Sequence, residues 1–281
     1  MTSDALKAGR NLVADSIVWS RSSATVPLLL LVGGCVNGFT ARVGETLSDN
    51  GFSSLFLGIS PVYLLTIVVA VHLLRSATAV APSSYGWPEV LTLLGLLVPL
   101  STVAWLTTGS YAAYLARKSR DGARAGALLI VALALTAIWS DAGIKWLAVP
   151  VTSLEAKLVA SLIGLFRDDI VQVGNVVGQA NGHSLIILTA CASLDGLPRL
   201  LLGIASVALF LGPVDARRLG VAMAIAATLY IATNLIRLTF MTWSADWYAI
   251  VHSPTGANIF DLFGTALVLM FGSSVAARHR S

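Results

Sequence analysis

Three side chains in the C-terminal third of the sequence have the types needed for acyl transfer: Cys191 in TACASLDG, Arg237 in TNLIRLTF and His252 in VHSPTGANIF. A thiolate is the nucleophile, an imidazole can take and return the proton, and a guanidinium can stabilise an oxyanion. They lie 46 (237 − 191) and 15 (252 − 237) residues apart, so only the fold can gather them. Each also has a plainer reading. A lone Cys in an apolar segment is usually a small packing residue, and Cys35, which has no reactive neighbours, keeps that reading. An Arg near the end of a span can snorkel to the interface, and a lone interfacial His is more often structural. Asn234 precedes Arg237 by one helical turn and shares its face, so it is expected to hold the guanidinium. Asp195 follows Cys191 by one turn, where an ionised acid would oppose thiolate formation. Two roles stay open for it: pairing with Arg199 at i+4, or orienting His252 as the third member of a triad.

The elements that must position these residues follow from composition. Of 281 residues, 56% are hydrophobic and 11% charged, against roughly 25% charged in soluble domains. The mean hydropathy is +0.82. A soluble globular fold is excluded, and largely uncharged runs close to the ~20 residues that cross a bilayer as helix predict an all-α polytopic membrane protein. The net charge of +4 sits in short clusters between these runs, which argues against nucleic acid as a partner. Four His and two Cys at these spacings build no metal site, and no cofactor is expected.

Seven runs emerge: 22–41, 50–74, 90–116 with a kink at Pro99, 125–149, 190–212, 219–241 and 255–276. The expectation is about seven to eight transmembrane helices in a single integral membrane domain over 1–281, with N-terminal spans in 22–149 and catalytic-type spans in 190–276. The interval 150–190 differs. SLEAKLVASLIGLF spaces Leu, Val and Ile at three and four with Glu155 and Lys157 on the other side, which reads as an amphipathic helix at the interface. DDIVQVGNVVGQANGHSLII then alternates as a short hairpin. Residues 1–20 contain no continuous apolar core, so no cleavable leader is expected and insertion uses internal spans.

Lys and Arg in short loops prefer the cytoplasm. If RKSRDGAR at 117–124, Arg217 with Arg218, and RHR at 278–280 are all cytoplasmic, two runs fit between each successive pair. Residues 150–190, the end of the 219–241 span and the stretch 243–254 then face the extracytoplasmic side. Cys191, Arg237 and His252 come to one depth at that face. Of the remaining polar residues, Asp261 is expected to neutralise Arg237 or to hydrogen-bond between helices, and Asp141 with Lys145 forms an i,i+4 pair. Trp139, Trp146, Trp243, Trp247 and Tyr248 read as an outer aromatic belt.

Over roughly residues 150 to 265 the sequence resembles the exosortase/archaeosortase membrane transpeptidases. The parts come in that family's order: SLIGLF, the Gly-Asn element VGNVV, NGHSLIIL, the Cys block, a span, a short basic loop, NLIR, and HSPTGANIF. The resemblance implies catalytic Cys191, Arg237 and His252 in the inner membrane, acting on secreted proteins whose C-terminal sorting tail carries a Pro-containing motif, one transmembrane helix and a basic end. It also implies an acceptor nucleophile of unknown kind. The Cys block departs from the family's Cys-Ser-Gly-Leu and reads Cys191-Ala192-Ser193-Leu194-Asp195, the pattern of a divergent branch. The rival reading is a transporter or membrane component of exopolysaccharide export, with Arg237, Asp261 and Asp195 along a path for an anionic or protonated substrate. A third reading is a scaffold that only binds a partner.

Overall fold

The computed structural model describes residues 25–50, 59–76 and 86–277. The expected lack of a leader in residues 1–20 and the basic cluster 278–280 fall outside the described residues. The chain is mostly helical and divides into two compact units, residues 1–138 and 139–281.

The first unit holds α1 (Thr25–Asn50), α2 (Pro61–Ser76), α3 (Trp87–Leu96), α4 (Ser101–Lys118) and α5 (Asp121–Ile138). Helix α4 lies between α1 and α5, and α5 also packs on α2. The close approach of α1 to α4 is made by Gly34 and Gly38, one turn apart, where an added Cβ would overlap Thr108 and Trp105. Beside them the Phe39 ring meets Trp105 edge-on at 4.9 Å and stacks on Tyr63 at 5.6 Å. The run expected as a third span, 90–116, is two helices. Pro99 supplies no N–H and drives Val98 away from helical backbone, so α3 stops at Leu96 and α4 starts afresh at Ser101. Four described stretches are long and apolar enough to cross a membrane: Asp121–Trp146, Ser193–Leu211, Ala216–Trp243 and Pro254–Ala276. Among the described residues, the first two expected runs overlap apolar helices of 16 residues each, Thr25–Thr40 and Pro61–Ser76.

In the second unit a π-helical turn (Trp139–Gly143) and a single α-turn (Ile144–Trp146) lead into α6 (Ala148–Gly164). The buried residues of α6 are Thr152, Glu155, Ala156, Val159 and Ile163, spaced at three and four. Its exposed stripe is Leu154, Leu158 and Leu162. This corrects the sequence reading of Glu155, which lies inside while Lys157 stays exposed. Both faces of α6 are rich in aliphatic residues, so periodicity alone could not choose between them.

The expected hairpin is present and gains a strand. β1 (Ile170–Val173) pairs antiparallel with β2 (Val176–Gln179), in register Val173 with Val176, and β2 pairs with β3 (Ser184–Ile186), in register Val177 with Leu185. The first turn has two residues, Gly174 and Asn175, and Gly174 takes φ +60, which glycine adopts without steric cost. Val177, Leu185 and Ile187 are buried in one core with Val159 and Ile163 of α6.

After a 3-10 turn (Thr189–Cys191) come α7 (Ser193–Leu211), α8 (Ala216–Trp243), α9 (Ala245–His252) and α10 (Pro254–Ala277). Helix α7 packs against α10 and α8, and α8 reaches α6 and α9. Pro198 inside α7 leaves the Leu194 carbonyl without its i+4 donor, and the Trp139 indole N–H donates to that oxygen at 2.8 Å. Trp139 is thus tied into the bundle, whereas Trp146 is 87% exposed. The last turn of α8 has carbonyls with no intrahelical donor, and the sheet supplies partners. Gln179 donates its amide to the Trp243 carbonyl at 2.9 Å, and a ring nitrogen of His183 bonds the Met241 carbonyl at 2.9 Å.

Candidate functional site

Cys191 ends the 3-10 turn that joins β3 to α7, its N–H bonded to the Leu188 carbonyl at 2.9 Å. It is half-buried and packs on the core formed by α6, the sheet and α8. The helix that starts just beyond it has Ala192 at its N-cap position, and a methyl group cannot accept a hydrogen bond. A carboxylate from another helix substitutes. Glu155 of α6 accepts the Ser193 N–H at 2.8 Å through Oε1, while its Oε2 is buried with no partner among the described residues. Burial pushes the Glu155 carboxyl above its usual range, and the bonds from Ser193 act in the opposite direction.

Asn234 of α8 holds the same turn from the other side. Its amide donates to the Cys191 carbonyl at 2.9 Å and to the Ser193 hydroxyl at 3.1 Å. The amide therefore serves the cysteine turn, where the sequence reading directed it to the Arg237 guanidinium. Arg237, three residues on, lays its guanidinium 5.3 Å from the centre of the Phe260 ring. Its Nε is buried without an acceptor, and it forms no ion pair with a described residue.

His252 closes α9 and is exposed, its ring stacked on Tyr248 at 5.0 Å and 15°. The centroid of Tyr248 is also 5.8 Å from that of His183. Cys191, Tyr248 and Phe260 are packed against one core, so Arg237 and His252 each touch a ring that shares Cys191's core. Among the described residues no hydrogen bond joins the Cys191 thiol, Arg237 and His252 to one another.

Asp195 pairs with Arg199 at 2.6 Å, the first of its two expected roles. Its carboxylate is occupied there and makes no bond to His252. Asp261 is exposed and makes no ion pair with Arg237 or any other described residue. No three His, Cys, Asp or Glu side chains among the described residues converge as metal ligands. Sequence reading missed Glu155, Gln179 and His183. Only Glu155 left a signal, since it stands at i, i+4 and i+8 with Val159 and Ile163. The partners of the other two are 64 and 58 residues away.

Compared with known protein families, curated proteins and solved structures, the chain matches none.

Proposed function

We propose that the protein is a membrane thiol transpeptidase or endopeptidase similar to exosortases, cutting the C-terminal sorting tail of secreted proteins through a Cys191 thioester. The observation that carries the reading is a tethered nucleophile packed on the same core as Phe260, the ring that Arg237 covers with its unpartnered Nε. Glu155 and Asn234 hold the cysteine turn from two helices, while Arg237, one turn from Asn234, keeps a buried Nε with no acceptor. A group left in that condition suits a negative charge that develops only during reaction. The Ser193 N–H, the natural oxyanion donor for a nucleophile at a helix N-terminus, is already bonded to Glu155. The guanidinium is therefore the donor that stays open.

In this mechanism His252 takes the thiol proton and the thiolate attacks the carbonyl carbon of the scissile peptide bond. Negative charge gathers on the carbonyl oxygen, facing Arg237. Collapse breaks the C–N bond, and the imidazolium gives its proton to the leaving amine. A second nucleophile, or water, then gives its proton to the neutral imidazole as it attacks the thioester, and the sulfur leaves as thiolate, which the imidazolium reprotonates. His252 meets the cluster through Tyr248, so the proton moves when substrate or a water spans the gap. The topology that goes with this chemistry has seven spans in the inner membrane, the basic loops in the cytoplasm and residues 150–190 outside. It delivers the tail's own span to the bilayer beside α7 and α8.

The test is a secreted reporter bearing a Pro-containing motif, a span and a basic end, co-expressed with the wild type and with Cys191→Ser, Cys191→Ala and Arg237→Gln. Wild-type cells are expected to release a shortened reporter, and hydroxylamine is expected to free it from a covalent adduct mapped to Cys191. All three variants are expected to lose processing by at least about 100-fold. Full processing by Cys191→Ser, or no adduct at Cys191, would overturn the thiol mechanism and leave transport along Arg237 and the unpaired Asp261 as the better reading.

A further inference from the structure

Glu155 is 6% exposed, and only one of its two oxygens has a partner. Burying a carboxylate is costly unless both oxygens are bonded, and packing does not require it here. Its neighbours on the same face of α6, Ala156, Val159 and Ile163, fill the core as aliphatic groups do. Its bond goes to the backbone two residues after the thiol, at the first residue of α7. A capping side chain at residue 192 would serve that N–H locally. With Ala192 there, the cap comes from α6, so the position of the cysteine turn depends on an element 36 (191 − 155) residues earlier in the chain.

We propose that Glu155 is a positioning residue for Cys191: by accepting the Ser193 N–H it fixes the start of α7 and, with Asn234, the direction of the thiol. The proposal rests on the thiol-enzyme reading for its purpose and on the bonds at 2.8 and 2.9 Å for its geometry. The role belongs to the acceptor oxygen. A Gln at 155 keeps a carbonyl oxygen at the same reach and is expected to work, an Ala offers none, and an Asp is one methylene too short. Other charged groups on the elements around the turn are committed elsewhere or turned away. Asp195 and Arg199 of α7 neutralise each other, Lys157 of α6 is exposed, His183 bonds the end of α8, and Arg237 of α8 lies over Phe260.

The experiment is nitroxide spectroscopy on the full chain with Cys35→Ala, so that a methanethiosulfonate spin label attaches at Cys191 alone. In wild type and in Glu155→Gln the label is expected to be equally immobilised. In Glu155→Ala its rotational correlation time is expected to shorten roughly threefold, towards loop-like motion. Should the Ala protein not accumulate, Glu155→Asp replaces it with the same expectation. A label on Val173→Cys in β1, in a chain lacking the native thiols, is expected to report no change in any of these variants. Unchanged mobility at Cys191 in Glu155→Ala overturns the proposal and leaves the thiol mechanism standing. Loosening at Val173 as well makes Glu155 a general packing residue and also overturns it, as does a Gln variant as mobile as the Ala. Failure of Cys191 to take the label where Val173→Cys does would show a sealed thiol and overturn both readings.

Discussion

Arg237 and Asp195 carry opposite charges, and the structure treats them in opposite ways. Asp195 is neutralised by Arg199 across one helical turn, with side chains 24% and 37% exposed. A pair so placed is worth about 0.3–0.5 kcal/mol. A double-mutant cycle of Asp195→Ala and Arg199→Ala, read by thermal unfolding in detergent, is expected to return that coupling, and Cys191 labelling is expected to change less than about twofold in the double variant. Glu155 gives a pH dependence of definite sign. Its folded pKa is raised from the ordinary 4.5. Below that value the carboxyl is protonated in both states, so its contribution to stability is fully present. As pH rises, the unfolded chain ionises first and stability is lost through the raised folded value. Glu155→Gln stays neutral throughout, so its melting temperature is expected to sit near that of wild type below about pH 4 and to exceed it increasingly above. A melting difference that does not vary with pH would show that burial imposes no charge penalty there. At this scale the sequence revealed the Asp195 pair through i,i+4 spacing. It misdirected Asn234, because the Cys191 carbonyl that receives its amide is 43 residues away.

Elements were legible where hydrophobicity alone decides them. The three C-terminal helices long and apolar enough to cross a membrane fall within a few residues of the apolar runs, because a helix of that composition satisfies its own backbone and so extends as far as the apolar sequence does. Two features escaped for physical reasons. β3 is three residues long and its partner is set by the turn after Gln179, too little for alternation to register. The run 90–116 is uncharged throughout, and hydropathy is blind to whether Pro99 bends a helix or ends it. Pro198 shows the other outcome: α7 continues through it because Trp139 takes the abandoned Leu194 carbonyl. Trp139→Phe is expected to lower stability by about 1 kcal/mol. The same change on a Pro198→Ala background is expected to cost clearly less, since residue 198 then has an N–H to offer. Denaturant titration of the four proteins measures the difference, and equal costs on both backgrounds would show that the indole is not compensating for the proline.

For the whole molecule the proposed orientation is testable without any substrate. Val173 in β1 is 73% exposed, and Pro213 lies exposed in the turn between α7 and α8. With the native cysteines replaced, a membrane-impermeant maleimide on intact spheroplasts is expected to label Val173→Cys at once and Pro213→Cys only after permeabilisation. The reverse pattern would invert the molecule and place Cys191 in the cytoplasm. The bonds from Gln179 and His183 to the end of α8 also impose an order on biogenesis. The sheet is synthesised some 60 residues before the carbonyls it serves, with separations of 64 and 58. On the proposed topology, α7 and α8 must cross the bilayer, out to in and back, before the C-terminus of α8 meets Gln179 and His183. The newly made sheet therefore waits on the far side of the membrane as a docking template, and arrest of the ribosome before Trp243 emerges would leave it without the helix end it was built to receive.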